Sequence, residues 1–200
     1  PLATSSDPIS YVEAAILGIV QGLTEFLPIS SSGHLRIVPA FFGWDDPGAA
    51  FTAVVQIGTM AAVLLFFRAD LWRMARALLH TLTGDRPLWR TADPDGKLGW
   101  FIVLGTLPII VIGFALSGFI EDEFRSLPLI ATVMILFSLV LYAADTRGAR
   151  TRPITDLKLA DGMKIGFMQC LALVPGVSRS GATISGGLLL NLTREAATRY

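Results

Sequence analysis

Uninterrupted apolar runs dominate the chain. Phe51 to Phe67, Leu98 to Ile120 and Leu127 to Ala144 each supply close to the ~20 apolar residues needed to cross ~30 Å of hydrocarbon, which predicts three spanning helices. Two further apolar stretches break off early. Ile9 to Leu27 carries Glu13, Gln21 and Glu25 and runs into Pro28 and the polar string Ser30-Ser31-Ser32-Gly33-His34. Lys164 to Val174 allows only about three helical turns before Pro175-Gly176 stops it. Both predict helices that end or turn inside the membrane.

The two interrupted regions match at an offset of 148 residues. Gly18, Gln21, Leu23, Ser30, Ser32 and Gly33 fall on Gly166, Gln169, Leu171, Ser178, Ser180 and Gly181. Each copy has the order helix, proline or glycine break, serine-rich loop. Three spans, an odd number, separate the copies, so the second enters with opposite orientation. The expected fold is an all-α polytopic membrane protein with inverted-topology repeats and broken or re-entrant helices, an arrangement that puts a substrate site near the bilayer midplane. Its expected organisation is a disordered lead-in at 1–9 and a single membrane domain at 10–200. Within that domain, repeat one covers about 10–67, a hairpin 98–144 and the start of repeat two 164–200.

Composition agrees with the pattern. Of the 200 residues 52% are hydrophobic and 16% charged, with mean hydropathy +0.60, where soluble domains carry roughly a quarter charged. The formal net charge is zero, so nothing argues for a nucleic-acid partner, but the distribution of charge is informative. Basic residues gather between Arg68 and Lys97 (with Arg73, Arg76, Arg86 and Arg90) and again between Arg147 and Lys164. The polar link Glu121-Asp122-Glu123-Phe124-Arg125 turns the last two spans into a hairpin whose outer ends share one side. The positive-inside rule places those ends in the cytoplasm, leaving the loop before Phe51 and the acidic link outside. Cys170 has no intrachain partner, which excludes a disulfide, and it reads as a small core residue.

Gln21 and Glu25, four apart, project from one helical face. An ionisable group in a membrane segment faces a cavity or a partner, which marks Glu25 as functional. Glu13 sits at the interface. Gly18 and Gly22 are expected to allow close helix packing. From Pro28 to Leu35, proline and glycine predict a non-helical loop with three hydroxyls, and such a backbone must line protein or water. His34 is suited to act as general acid, base or nucleophile.

In the second loop, Pro175 to Thr183, Arg179 offers five N–H donors in a fork suited to phosphate. Gly176 and Gly181 let backbone amides approach an anion, and a helix starting near Ala182 points its N-terminus at the same place. A salt bridge from Arg179 to Glu25 is the plainer alternative. Together the loops offer a positive clamp, hydroxyls, a histidine and a carboxylate, the parts phosphoryl transfer requires. Glu25 with Gln21 is suited to a divalent cation, Mg2+ or Ca2+, through oxygen ligands. A site at membrane depth points to a lipid phosphate ester or anhydride.

The strings Gln21-Gly-Leu-Thr-Glu25-Phe-Leu-Pro-Ile-Ser-Ser-Ser-Gly-His34 and Pro175-Gly-Val-Ser-Arg179-Ser-Gly-Ala-Thr183 closely resemble the two signature motifs of the bacterial undecaprenyl-diphosphate phosphatases, the bacitracin-resistance family. The resemblance runs from about Ala14 to Tyr200. It implies a multi-pass plasma-membrane enzyme that removes the terminal phosphate of undecaprenyl diphosphate, a polyprenyl lipid. The monophosphate carrier is thereby regenerated for peptidoglycan synthesis, conferring bacitracin resistance. It further implies dependence on a divalent cation and an active site open to the extracytoplasmic face. The family's essential residues map onto Glu25, Ser31, His34 and Arg179, with Ser178 and Thr183 in supporting positions. Ser30, Ser32, Gly33 and Ser180 complete the expected phosphate-binding set.

Ser31, His34 and an activated water are each compatible as the attacking group; the preferred reading is Ser31 assisted by His34. The competing function is a transporter or flippase for an anionic polyprenyl lipid, which needs Arg179 and no nucleophile. Oligomeric state, a homodimer included, is left open. Family members continue for roughly seventy apolar residues past the point matching Tyr200, so the second repeat is expected to lack part of its helices.

Overall fold

The computed structural model describes residues 9–82, 93–123 (backbone alone over 117–123) and 126–200. The lead-in at 1–8, Arg86 and Arg90 of the first basic group, and the side chains of the acidic link at 121–125 lie outside what is described. The described chain is helical: α1 (Tyr11–Glu25), α2 (Ser31–Phe42), α3 (Gly48–Phe66), α4 (Arg68–Leu82), α5 (Pro94–Glu123), α6 (Leu127–Arg147), α7 (Leu159–Gln169), α8 (Arg179–Leu189) and α9 (Arg194–Arg199). Short 3-10 turns occupy Ile154–Asp156 and Cys170–Leu173. No strand forms among the described residues beyond one isolated bridge between Arg152 and Leu192.

α3, the stretch Pro94–Leu116 of α5, and α6 are each long and apolar enough to cross a membrane. In α3 only 6% of the apolar window is buried inside the protein, against 22% and 17% in the other two. Leu65, Phe66, Val111, Phe114 and Tyr142 are among the large side chains turned outward. Outward apolar surface on that scale requires a non-aqueous surround, and helices satisfy their own backbone there.

The buried core lies where α5, α6, α7, α8 and α9 meet, around Phe101, Ala144, Ile165, Leu188 and Leu192. α5 and α7 cross on glycine. A Cβ at Gly166 would collide with the Gly105 carbonyl, and one at Gly105 would come within 2.8 Å of the Gly162 oxygen. Glycines four apart on α7 therefore let two backbones touch, which is how helices associate in lipid. By contrast, Gly18 and Gly22 have nothing within 4 Å of a built Cβ. The expected packing role fails there because that face of α1 is open.

The serine-rich segments are shorter breaks than the sequence predicts. Ser31, Gly33 and His34 occupy the first turn of α2, so the non-helical segment ends at Ser30 rather than at Leu35. Likewise α8 begins at Arg179, three residues before the expected start near Ala182. The physical reason is the same in both copies. Ser30 caps α2 by accepting from the Gly33 amide, and Ser178 caps α8 by accepting from the Gly181 amide. A capped N-terminus lets a polar sequence enter the helix early. Glu13, assigned to the interface, completes a capping box with Ser10.

Candidate active site

The two breaks meet each other directly. Ser180 Oγ lies 3.4 Å from the Leu27 carbonyl, and Arg179 Nη2 lies 3.2 Å from Glu25 Oε1 across 154 residues of sequence. A cavity of about 310 Å3 opens at this junction. Glu25, Ser30, Ser31, Ser32, Ser178, Arg179 and Ser180 line it, joined by Gln56 from α3.

Glu25 is the hub. Its Oε2 accepts from Ser31 Oγ at 2.5 Å and from Gln21 Nε2 at 3.0 Å, while Oε1 accepts from Gln56 Nε2 at 3.1 Å and from Arg179. Gln21 reaches it from one turn back on α1, and Ser31 from the start of the next helix. The plainer alternative for Arg179, a salt bridge to Glu25, is therefore formed. It does not consume the guanidinium: the Arg179 side chain is 60% exposed against 17% for Glu25. Among the described residues its remaining donors have no protein partner, and Arg179 lines the cavity.

The expected residues do not all converge. His34 is half-buried but is absent from the cavity lining, and its Nδ1 lies 2.8 Å from the Ser30 carbonyl. Facing a carbonyl, Nδ1 carries the proton and Nε2 is left unprotonated in the neutral ring. Ser31, expected to pair with His34, instead pairs with Glu25. Gly33 lies on a neighbouring cavity of about 600 Å3 that shares Ser32 and Ala172 as common wall. Thr183 hydrogen-bonds back to the carbonyls of its own helix.

Ser30 has φ 66°, a left-handed conformation for a non-glycine residue, and such strain gathers at functional turns. Its counterpart Ser178 has φ −73°. The hydroxyl pairs also correspond: Ser30 with Ser32 at 3.4 Å, Ser178 with Ser180 at 2.9 Å. Both helices thus aim their first, unsatisfied amides at the junction.

A hard cation would find one carboxylate here, Glu25, since no cluster of three or more His, Cys, Asp or Glu occurs among the described residues. Gln21, the other expected ligand, does not line the cavity: it turns Nε2 to Glu25, and its Oε1 is buried without a hydrogen-bond partner. The single carboxylate fits Mg2+ bound through it together with substrate phosphate oxygens, and does not make an all-protein cage.

Comparison with known proteins bears on what this junction serves. Residues 14–200 match the bacitracin resistance protein BacA family. The chain belongs to the BacA family. Among its relatives, an undecaprenyl-diphosphatase of a Nocardioides species is 55% identical over 192 residues, covering 96% of this chain and 69% of the relative. The undecaprenyl-diphosphatase of Streptomyces griseus is 52% identical over 204 residues, with 96% and 69% covered. That of Myxococcus xanthus is 49% identical over 192 residues, with 96% and 64% covered.

For this BacA-family chain, one site residue escaped the sequence reading: Gln56. It lies inside an apolar span, where a glutamine is costly unless it faces a polar partner. That rule, applied to α3 as it was to α1, would have found it.

Proposed function

We propose that this chain removes the terminal phosphate of undecaprenyl diphosphate, releasing inorganic phosphate and the lipid monophosphate at the membrane. The observation that carries the reading is the Ser31 hydroxyl held on Glu25 in a cavity that Arg179 also enters. Relatives bearing the undecaprenyl-diphosphatase name at about half identity support the same substrate.

The terminal phosphate sits against Arg179, whose free donors bind its oxygens, with the first amides of α2 and α8 adding partial positive charge. Ser31 Oγ attacks phosphorus as its proton passes to Glu25 Oε2. The bond from phosphorus to the bridging oxygen breaks, and lipid monophosphate leaves. Glu25 hands its proton to the departing monophosphate, then takes one from the water that attacks the phosphoserine and returns it to Ser31 Oγ as the phosphorus–Oγ bond breaks and phosphate departs. A hydroxyl is activated in this way by an adjacent base, and charge building on the phosphoryl oxygens is met by preset donors. Gln21 and Gln56 hold the Glu25 carboxylate in place. His34 anchors the Ser30 carbonyl and so positions the turn that presents Ser31. A divalent cation, held by Glu25 together with substrate oxygens, would neutralise diphosphate charge.

The pocket opens to the extracytoplasmic face of the plasma membrane in this reading, since both basic groups belong at the opposite end. A flippase would need Arg179 but no hydroxyl on a carboxylate, so the Ser31–Glu25 pair favours hydrolysis. The test is phosphate release from undecaprenyl diphosphate by the purified protein, with and without Mg2+, Ca2+ or chelator. Turnover by the unsubstituted protein and its loss in Ser31→Ala is expected; lipid binding without phosphate release by the unsubstituted protein would refute it.

A further inference from the structure

α4 starts two residues after the apolar helix α3 ends, and it is seated on the first turns of α5. Arg73 Nε contacts Asp95 at 3.2 Å, Leu78 packs on Gly99, and Trp100 Nε1 donates to Thr81 Oγ1 at 2.7 Å. It therefore lies at the end of the bundle where α3 leaves and α5 enters the apolar layer.

Laid out at 3.6 residues per turn, α4 has three sectors where a surface helix needs two. Ala77, Met74, Leu78 and Thr81 form the protein-facing side, buried or half-buried. Next to them is an apolar strip facing outward: Leu71, Leu82, Leu79 and Trp72, with Trp72 65% and Leu79 64% exposed. Arg76, His80 and Arg73 form the third. Arg73 is held by Asp70 and Asp95, whereas Arg76 is exposed and has no ion-pair partner among the described residues.

An exposed leucine and tryptophan strip flanked by arginine is the composition of a helix lying in the headgroup plane. We propose that α4 rests in the membrane interface with Trp72 and Leu79 in the upper acyl region, and that Arg76 binds the phosphate of an anionic phospholipid. The occupant follows from charge complementarity and from continuity with α3, whose outward face already requires lipid. This contact lies on a different helix from the candidate active site, so it stands apart from the hydrolytic reading.

The test places the protein in nanodiscs of phosphatidylglycerol and phosphatidylcholine in equal amounts, with upper-chain bromines on one lipid or the other. Trp72 quenching is taken as the difference between the protein and its Trp72→Phe variant. Brominated phosphatidylglycerol should quench as though enriched about fivefold around Trp72, the size expected of one basic residue at an anionic surface. About 0.5 M salt should erase the preference, as should Arg76→Gln. Equal quenching by both lipids, or none by either, would overturn the proposal. A preference surviving Arg76→Gln would overturn the assignment to Arg76, and the salt arm decides if that variant does not fold.

Discussion

Ser31 Oγ and Glu25 Oε2 stand 2.5 Å apart across the break between α1 and α2. A hydroxyl and the base that activates it act as one unit, so their loss is not additive. Ser31→Ala and Glu25→Gln should each lower phosphate release by about 10²–10⁴-fold, the usual contribution of proton transfer. The double variant should be no slower than the worse single variant, as read from kcat/KM on undecaprenyl diphosphate. Multiplied losses would show that the two residues act separately.

Gln56 donates to the other oxygen of the same carboxylate. A hydrogen bond to a charged group contributes roughly 1.5–3 kcal/mol, so Gln56→Leu should lower kcat/KM by about 10- to 100-fold. In the Glu25→Gln background the same change should cost little. A double-mutant cycle measures that coupling.

His34 separates two roles by conservative substitution. With Nδ1 on the Ser30 carbonyl, His34→Asn keeps a donor at that place and should retain more activity than His34→Ala, with the pH profile unchanged. Equal losses, accompanied by disappearance of a limb near neutral pH, would make the ring itself a proton carrier in the reaction.

Much of this arrangement is legible from sequence. The three spans emerge from run length alone, and the Glu25–Arg179 meeting is anticipated because two broken helices at matched spacing imply one site. Two things are not legible. Capping by Ser30 and Ser178 draws Ser31 and Arg179 into helices, because glycine and serine propensities understate what a good cap permits. The orientation of His34 depends on a backbone turn with positive φ that no residue type announces.

The α5–α7 crossing tolerates no side chain at Gly166, where a Cβ meets the backbone of Gly105. Backbone cannot yield as a flexible side chain does, so Gly166→Val should lower the melting temperature in detergent by several degrees. Gly18→Ala is the control: with open space around it and alanine up to ~1 kcal/mol more favourable in a helix, it should be neutral or slightly stabilising.

Outside the membrane, Arg152 Nη2 meets Asp161 Oδ2 at 2.7 Å, and the same oxygen accepts from the Lys158 amide. Burial pushes the Asp161 carboxyl up, but the Arg152 hydrogen bond, the Lys158 amide and the charges of Arg152 and Lys164 outweigh it and hold it below its ordinary value. The folded state thus prefers the charged form. This contribution to stability is fully present above the ordinary carboxyl range and is lost as pH falls through the lowered value. Asp161→Asn should remove it, so the difference in melting temperature between protein and variant should shrink in acid below pH 3.8.

The matched caps at Ser30 and Ser178 hold unlike cargo. One residue past each cap, the first copy carries a hydroxyl and the second a guanidinium; five residues before each cap stand Glu25 and Leu173. The halves share a scaffold but differ in what they carry, a hydroxyl held on a carboxylate in one and a guanidinium in the other. In the proposed chemistry neither half suffices alone: grafting the first onto a second copy of itself would set two carboxylates face to face without the guanidinium of Arg179 between them.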